Sequence, residues 1–151
     1  MPSWERAALM IGFGMGGFLD FLLLHLLLQW HHMISRRLPP TTLAALQRNV
    51  FWDGAGQGLM WMITLGGVLI LLGRRAAAEP PPTMLRAVGL LLVGWGVFNL
   101  VDGVLNHHLL ALHDVREDVT NPMAWNVAFL VLAGGGITAA GWLLARAGRS
   151  R

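Results

Sequence analysis

Four long apolar stretches, separated by short polar segments, set the pattern of the chain. They run over about residues 7–29, 51–73, 87–113 and 123–145. Each exceeds the roughly 20 residues needed to cross a hydrocarbon core. A chain in lipid must satisfy its backbone hydrogen bonds internally, so each stretch is predicted to be a helix. The breaks fall at Pro39-Pro40, Pro80-Pro81-Pro82 and Asn121-Pro122, where helices stop. Thr41 to Asn49 reads as a short surface helix with Thr41 or Thr42 as its cap. The predicted fold class is all-α: an integral membrane four-helix bundle, one domain over residues 1–151. The first stretch is too long for a signal-peptide core and lacks a small-residue cleavage site after it. It is expected to stay in the mature protein.

The polar positions inside these stretches are not scattered. The first carries Asp20, His25, Gln29, His31 and His32; the second Asp53 and Gln57; the third Asn99, Asp102, Asn106, His107, His108 and His113. All lie toward one end, the outer half in the orientation argued below. At about 1.5 Å per residue, His25 lies roughly 8 Å inside Trp30 and Asp20 roughly 15 Å. Measured from His113, His107 and His108 lie roughly 8–9 Å inside and Asp102 roughly 16 Å, while Gln57 lies roughly 8 Å past Trp52. Two helices thus place an Asp near the midplane. Asp20, His25 and His31 follow one another at steps of five and six residues, as do Asp102, His107 and His113. Trp52-Asp53 is loosely echoed by Trp125-Asn126. The pattern reads as two repeated helix pairs related by an axis along the membrane normal, an arrangement that places sites at the repeat interface.

Composition strengthens the membrane reading. Charged residues make up 13% of the chain against 55% hydrophobic, and the mean hydropathy is +0.56, too little charge to clothe a water-facing surface. Every basic residue is Arg. The N-terminus, second loop and C-terminus hold seven (Arg6, Arg74, Arg75, Arg86, Arg146, Arg149, Arg151), against four in the first and third loops (Arg36, Arg37, Arg48, Arg116). The positive-inside rule then predicts both termini in the cytoplasm. Trp30, Trp52 and Trp125 mark the outer interface, Trp4 and Trp142 the inner one. The Gly12/Gly16 and Gly54/Gly58 pairs, and Gly134-Gly135-Gly136, suit close helix crossings.

Ionisable groups inside a membrane helix default to function. Six His and several Asp with no Cys suit a borderline transition metal: zinc, copper or iron. Bundles build such centres from inward His and carboxylates on facing helices. The expected metal ligands are His25, His32, His107, His108 and His113. Asp20, Gln29, His31, Asp53, Gln57, Asn99, Asp102 and Asn106 are expected as supporting groups or alternative ligands, with Met33 and Met123 able to assist copper. On an ideal helix Asp20 and His31 share a face and His25 points about 140° away, so one ion cannot take every His. Each residue also has a plainer role: His31 and His32 at headgroup level, Asp53 as a helix cap, Gln57 as an interhelical donor, and Asp114 to Asp118 as a solvated loop. No phosphate-binding loop, zinc-protease motif or nucleophile elbow is present. Aromatic and basic residues do not interleave as a nucleic-acid surface requires.

These residues resemble a bacterial membrane-protein family catalogued as domain of unknown function 2243. The likeness covers nearly the whole chain, through Gly16-Gly17-Phe18-Leu19-Asp20, His25, Gln29 to Met33, Asp53-Gly54, Phe98-Asn99, Asp102-Gly103, His107-His108 and His113 to Arg116. The family pattern commonly has His at Gln57, a second His at Asp114 and Glu at Asp102. The resemblance implies a four-helix membrane protein of a bacterial inner membrane and no particular activity. The expected function is a transition-metal protein in metal handling or a metal-dependent reaction. The alternatives are a b-type haem protein, with two His as axial ligands, and a structural or assembly subunit, as a homo-oligomer or within a membrane complex.

Overall fold

The architecture was analysed in a computed structural model that describes residues 1–73 and 83–149. The Pro80 to Pro82 break and Arg74, Arg75 and Arg151 lie outside the described residues. Among the described residues four helices are long and apolar enough to span a membrane: helix 1 Ser3–Leu27, helix 2 Leu43–Gly73, helix 3 Met84–Leu109 and helix 4 Pro122–Ala147. No strand occurs among them.

Helix 2 begins at Leu43, not near residue 51, and absorbs the expected surface helix. Thr42 caps it by accepting from the Ala45 N–H at 3.2 Å, and no Gly or Pro interrupts the chain until Gly54, so nothing breaks the winding. Its 31 residues reach roughly 46 Å, more than the roughly 30 Å hydrocarbon core. Helix 3 ends at Leu109, not at His113.

The helices stand in the spatial order 2-1-3-4. Helix 1 packs on helices 2 and 3, and helix 3 packs on helices 1 and 4. Helices 1 and 4 do not come within 8 Å of one another at any Cα, nor do helices 2 and 3. The central contact is made by glycines. A side chain at Gly12 would strike the Leu91 backbone, and one at Gly94 the backbone of Leu9 and Phe13. Each pair, Gly12/Gly94 and Leu9/Leu91, is 82 residues apart. Gly54 and Gly58, by contrast, face no neighbour among the described residues, so that pair makes no crossing within the chain. At the end that holds both termini Arg86 ties three helices together, donating to Glu5 (Nε–Oε1 2.7 Å) and to the Ala145 carbonyl (2.9 Å).

Both central helices change winding at the same place. Helix 1 is α-helical to Asp20 and π-helical over Phe21–Leu27; helix 3 is α-helical to Asp102 and π-helical over Gly103–Leu109. The α segments touch and the π segments do not, so the bundle opens between them at the end away from the termini. Each helix then ends on a left-handed residue, Gln29 (φ 51°) and Ala111 (φ 47°). The closing bonds match: Trp30 N–H to Leu24 carbonyl (2.9 Å) and Leu112 N–H to Asn106 carbonyl (2.8 Å). The turn folds each following loop back into the opening.

The helix 1–helix 3 contact predicts a contrast between glycines. Gly94→Ala lowers stability by about 1–3 kcal/mol, because backbone must move, whereas Gly54→Ala stays within about 0.5 kcal/mol of wild type. Unfolding in detergent, followed by tryptophan fluorescence, measures both; equal effects contradict the packing described.

Candidate metal centre

Six side chains fill the space between the π segments. His25 and His107 point in from the helices, and His31 and His113 return from the loops. His25, His31, His107 and His113 are between 1% and 3% exposed. The His31 and His113 rings stack at 4.4 Å with 3° between their planes. His25 lies 4.3 Å from His31 and His107 lies 4.8 Å from His113, centroid to centroid. Asp20 Oδ2 is 3.5 Å from His25 Nε2, and Asp102 Oδ2 is 3.0 Å from His107 Nε2.

An ideal helix would turn His25 away from Asp20, and the π winding is what overturns that expectation. Its i→i+5 bonding makes a five-residue step about one turn, so Asp20 and His25, and Asp102 and His107, meet on one face.

The other ring nitrogens are tied outward. His31 Nδ1–H donates to the Val115 carbonyl (2.8 Å) and His113 Nδ1–H to the Met33 carbonyl (3.0 Å). A carbonyl only accepts, so in each neutral ring Nε2 carries the bare lone pair. His25 Nδ1 lies 2.7 Å from Asp53 Oδ1. The Nε2 atoms converge: those of His25 and His31 are 2.9 Å apart, within hydrogen-bond distance. His107 Nε2, His113 Nε2 and Asp102 Oδ2 are buried without any hydrogen-bond partner. Burial, reinforced by His113, holds the His31 imidazole well below the usual histidine range. Burial likewise pushes His113 down to about 4, so both are neutral at pH 7, the form that binds metal. Two sets of donors lie within 4.8 Å of one another: His25, His31 and His113, and Asp102, His107 and His113.

The other expected residues fall around this cluster. His32 is turned to Asp53 (Nδ1–Oδ2 2.6 Å) and belongs to neither set. His108 also stands outside both, although its buried Nε2 has no hydrogen-bond partner. Asp53 is no helix cap: it lies well inside helix 2 and accepts from His25, His32 and the Met33 N–H (2.7 Å). Asn106 donates to Asp102 Oδ1 (2.7 Å), and Asn99 to the Ala133 carbonyl below (2.8 Å). Gln29 is exposed on its turn, and Gln57 is partly exposed on helix 2. Met33 packs against the Phe21, Met60 and Phe98 core, and Met123 is exposed.

Asn126 and Asp114 emerge as unexpected members. Fully buried Asn126 accepts from the Val115 N–H (2.8 Å) and donates to Asp114 Oδ1 (2.6 Å), as Asp53 accepts from Met33 N–H and engages His32. The Trp52-Asp53 and Trp125-Asn126 echo was the signal for this equivalence. Above the cluster, Arg116 lies over the rings of Trp30 (4.9 Å) and Trp125 (5.1 Å). Below it, Asp20 and Asn99 line a groove between helices 1 and 4, with Leu24, Trp95 and Phe129.

Fold and cluster together define a polytopic membrane protein with a buried His/Asp centre at one end of its bundle. The chain belongs to the DUF2243 family of predicted membrane proteins, whose model matches residues 7–148. Neither a curated protein nor a solved structure matches it.

The Asp53 network carries a stability prediction. Asp53 is 1% exposed, and Asp53→Ala strands three N–H donors, lowering stability by about 3 kcal/mol. Unfolding in detergent reads this; a change under about 0.5 kcal/mol counts against the network.

Proposed function

We propose that the protein is a membrane-embedded transition-metal protein, with a His/Asp centre in the outer half of its bundle that serves metal handling or a metal-dependent reaction. One observation carries the reading: His25, His31 and His113 tie Nδ1 to fixed acceptors and turn Nε2 inward, where His113 Nε2, His107 Nε2 and Asp102 Oδ2 are buried together without a hydrogen bond. Neutral lone pairs crowded together in a low-dielectric interior repel, and a buried polar atom without a partner costs roughly 1–3 kcal/mol. A cation removes both penalties. Outward bonds from ligand imidazoles to carboxylates and carbonyls are the usual support for such ligands, fixing tautomer and orientation. The 2.9 Å His25–His31 separation is close to the roughly 3.0–3.4 Å between two nitrogens on one zinc-sized ion.

The donor set suits zinc, copper(II) or iron. Four rings packed at these spacings leave no slot for a porphyrin plate, which favours a bare ion over haem b. On this reading the chain lies in a bacterial plasma membrane with both termini in the cytoplasm. The excess of Arg at the inner ends supports that orientation, and Trp30, Trp52 and Trp125 then mark the outer leaflet.

Elemental analysis of full-length protein, purified without a His tag from metal-replete cells, tests the centre. A stoichiometric transition metal is expected in wild type and background levels in His25→Ala/His107→Ala. Metal-free wild type, or a Soret band in the visible spectrum, rejects the reading. Because the chain has no cysteine, single-cysteine variants report topology. Thr41→Cys should react with a membrane-impermeant maleimide in intact cells, and Arg149→Cys only after permeabilisation; the reverse pattern inverts the orientation.

A further inference from the structure

We infer that the centre holds two metal ions, one built by each half of the chain: His25 and His31 hold the first, with Asp20 beside His25 but outside the donor sets, and Asp102, His107 and His113 hold the second. This rests on the reading of the cluster as a metal site.

Donors around a single ion are never far apart. With metal–nitrogen distances of about 2.1 Å, opposite ligands lie about 4.2 Å from one another, so all donors of one ion would form one set within 4.8 Å. The donors here do not. They separate into His25, His31, His113 and Asp102, His107, His113. The five donors of the two sets also exceed the four that a zinc-type ion takes.

His113 appears in both sets, and chemistry decides its place. Its Nδ1–H is committed to the Met33 carbonyl, which leaves one lone pair on Nε2, enough for one ion. The internal correspondence assigns it. Asp20 and Asp102, His25 and His107, and His31 and His113 are each 82 residues apart. The same offset relates the left-handed turns at Gln29 and Ala111. It also relates the acceptors, because His31 bonds the Val115 carbonyl and His113 the Met33 carbonyl, and those two residues are again 82 apart. His113 therefore stands to Asp102 and His107 as His31 stands to Asp20 and His25. Within each half the Asp lies beside its own His, at 3.5 Å and 3.0 Å.

The second set gives independent support. Asp102 Oδ2, His107 Nε2 and His113 Nε2 are all buried without hydrogen bonds. The ligand-facing atoms of one whole set are orphaned together, although Asp102 Oδ2 and His107 Nε2 approach to 3.0 Å. A two-His, one-carboxylate set leaves coordination positions open for a substrate or a bridging ligand. Two ions sharing one cavity at about 3.5–4 Å suit a bridging oxygen donor.

The two ions are not equivalent. Asp53 backs His25 at 2.7 Å, whereas His107 Nδ1 has no partner and the position answering to Asp53 holds Asn126. A carboxylate behind an imidazole strengthens it as a ligand, so the first-half ion is held more tightly.

The test counts metal per chain in tag-free, full-length protein equilibrated with zinc and freed of excess. Two ions are expected in wild type, with the second-half ion removed first by a chelator. His31→Gln and His113→Gln are each expected to keep one ion and His31→Gln/His113→Gln none, while gel-filtration elution and far-ultraviolet circular dichroism match wild type. One ion in wild type overturns the two-ion inference and leaves the metal reading standing; no ion overturns both. The wild-type count needs no variant to fold. X-ray absorption of the zinc-loaded protein gives a second measurement: a zinc–zinc vector near 3.5–4 Å supports the pair, and its absence at a count of two places the ions apart and overturns the shared cavity.

Discussion

A buried imidazole has two nitrogens, and in hydrocarbon both must find partners or bear a penalty. That constraint organises the half of this protein away from its termini. Two of the four rings at the centre satisfy Nδ1 with backbone carbonyls, from Val115 and Met33. Both of these carbonyls stand in the loops, outside helical bonding. Loops must therefore come down into the bundle beside the rings. They do so because helices 1 and 3 stop short and turn on left-handed residues, Gln29 and Ala111. A non-glycine residue held there costs of order 1–3 kcal/mol. Two such turns in one small protein persist because the bonds they make possible outweigh them.

The π segments are the other half of the same solution. Below Asp20 and Asp102, helices 1 and 3 approach until backbone meets glycine. Four imidazoles and two carboxylates need room that such a crossing does not leave. Changing to i→i+5 bonding at Phe21 and Gly103 widens each helix and lets the two part without breaking the internal hydrogen bonding that lipid demands. The same change brings Asp and His, five residues apart, onto one face. Tight crossing and open chamber are thus alternate windings of the same two helices, switched one residue past each mid-membrane acid.

The physics of each level explains how much of this was readable in the chain. Four spans and their polarity gradient were legible, because hydropathy over 20 residues is a strong signal and Asp20 and Asp102 are too costly in lipid to be accidental. The five-and-six spacing of Asp, His and His was legible as arithmetic. Directions were not: they rest on 100° per residue, and that assumption fails where the winding changes. It placed His25 away from Asp20 and gave His32 precedence over His31. In the structure His31 enters the cluster and His32 turns to Asp53. Helix 2 ran eight residues past its expected start because a helix needs only the absence of a breaker to continue, and hydropathy does not register polar turns such as Gln47 to Asn49. The carbonyls of Met33 and Val115 left no trace at all, since backbone groups have no letter in a sequence.

The two halves keep one geometry while exchanging its parts. Phe21 on helix 1 fills the space above Gly56 on helix 2. In the other half helix 4 covers Gly103, with Leu130 nearest and the Phe129 ring beside it. Phe21 answers in position to Gly103, and Gly56 to Phe129, so the ring and the gap have changed places while each histidine, His25 and His107, keeps an aromatic neighbour. Further in, Thr64 bonds the Met60 carbonyl beside Gly14, and Thr138 bonds the Gly134 carbonyl beside Gly96. Helix 4 reaches that alignment with one residue more than helix 2, and its π turns over Phe129–Gly136 take up the excess. Volume and backbone are thus conserved by different means in the two halves. Charge is not, since Asp53 and His32 are answered by Asn126 and Asp114. A chain that keeps its packing nearly symmetric while Asp53 and His32 are answered by Asn126 and Asp114 has made the two sides of its centre chemically unlike within a frame that keeps them geometrically alike.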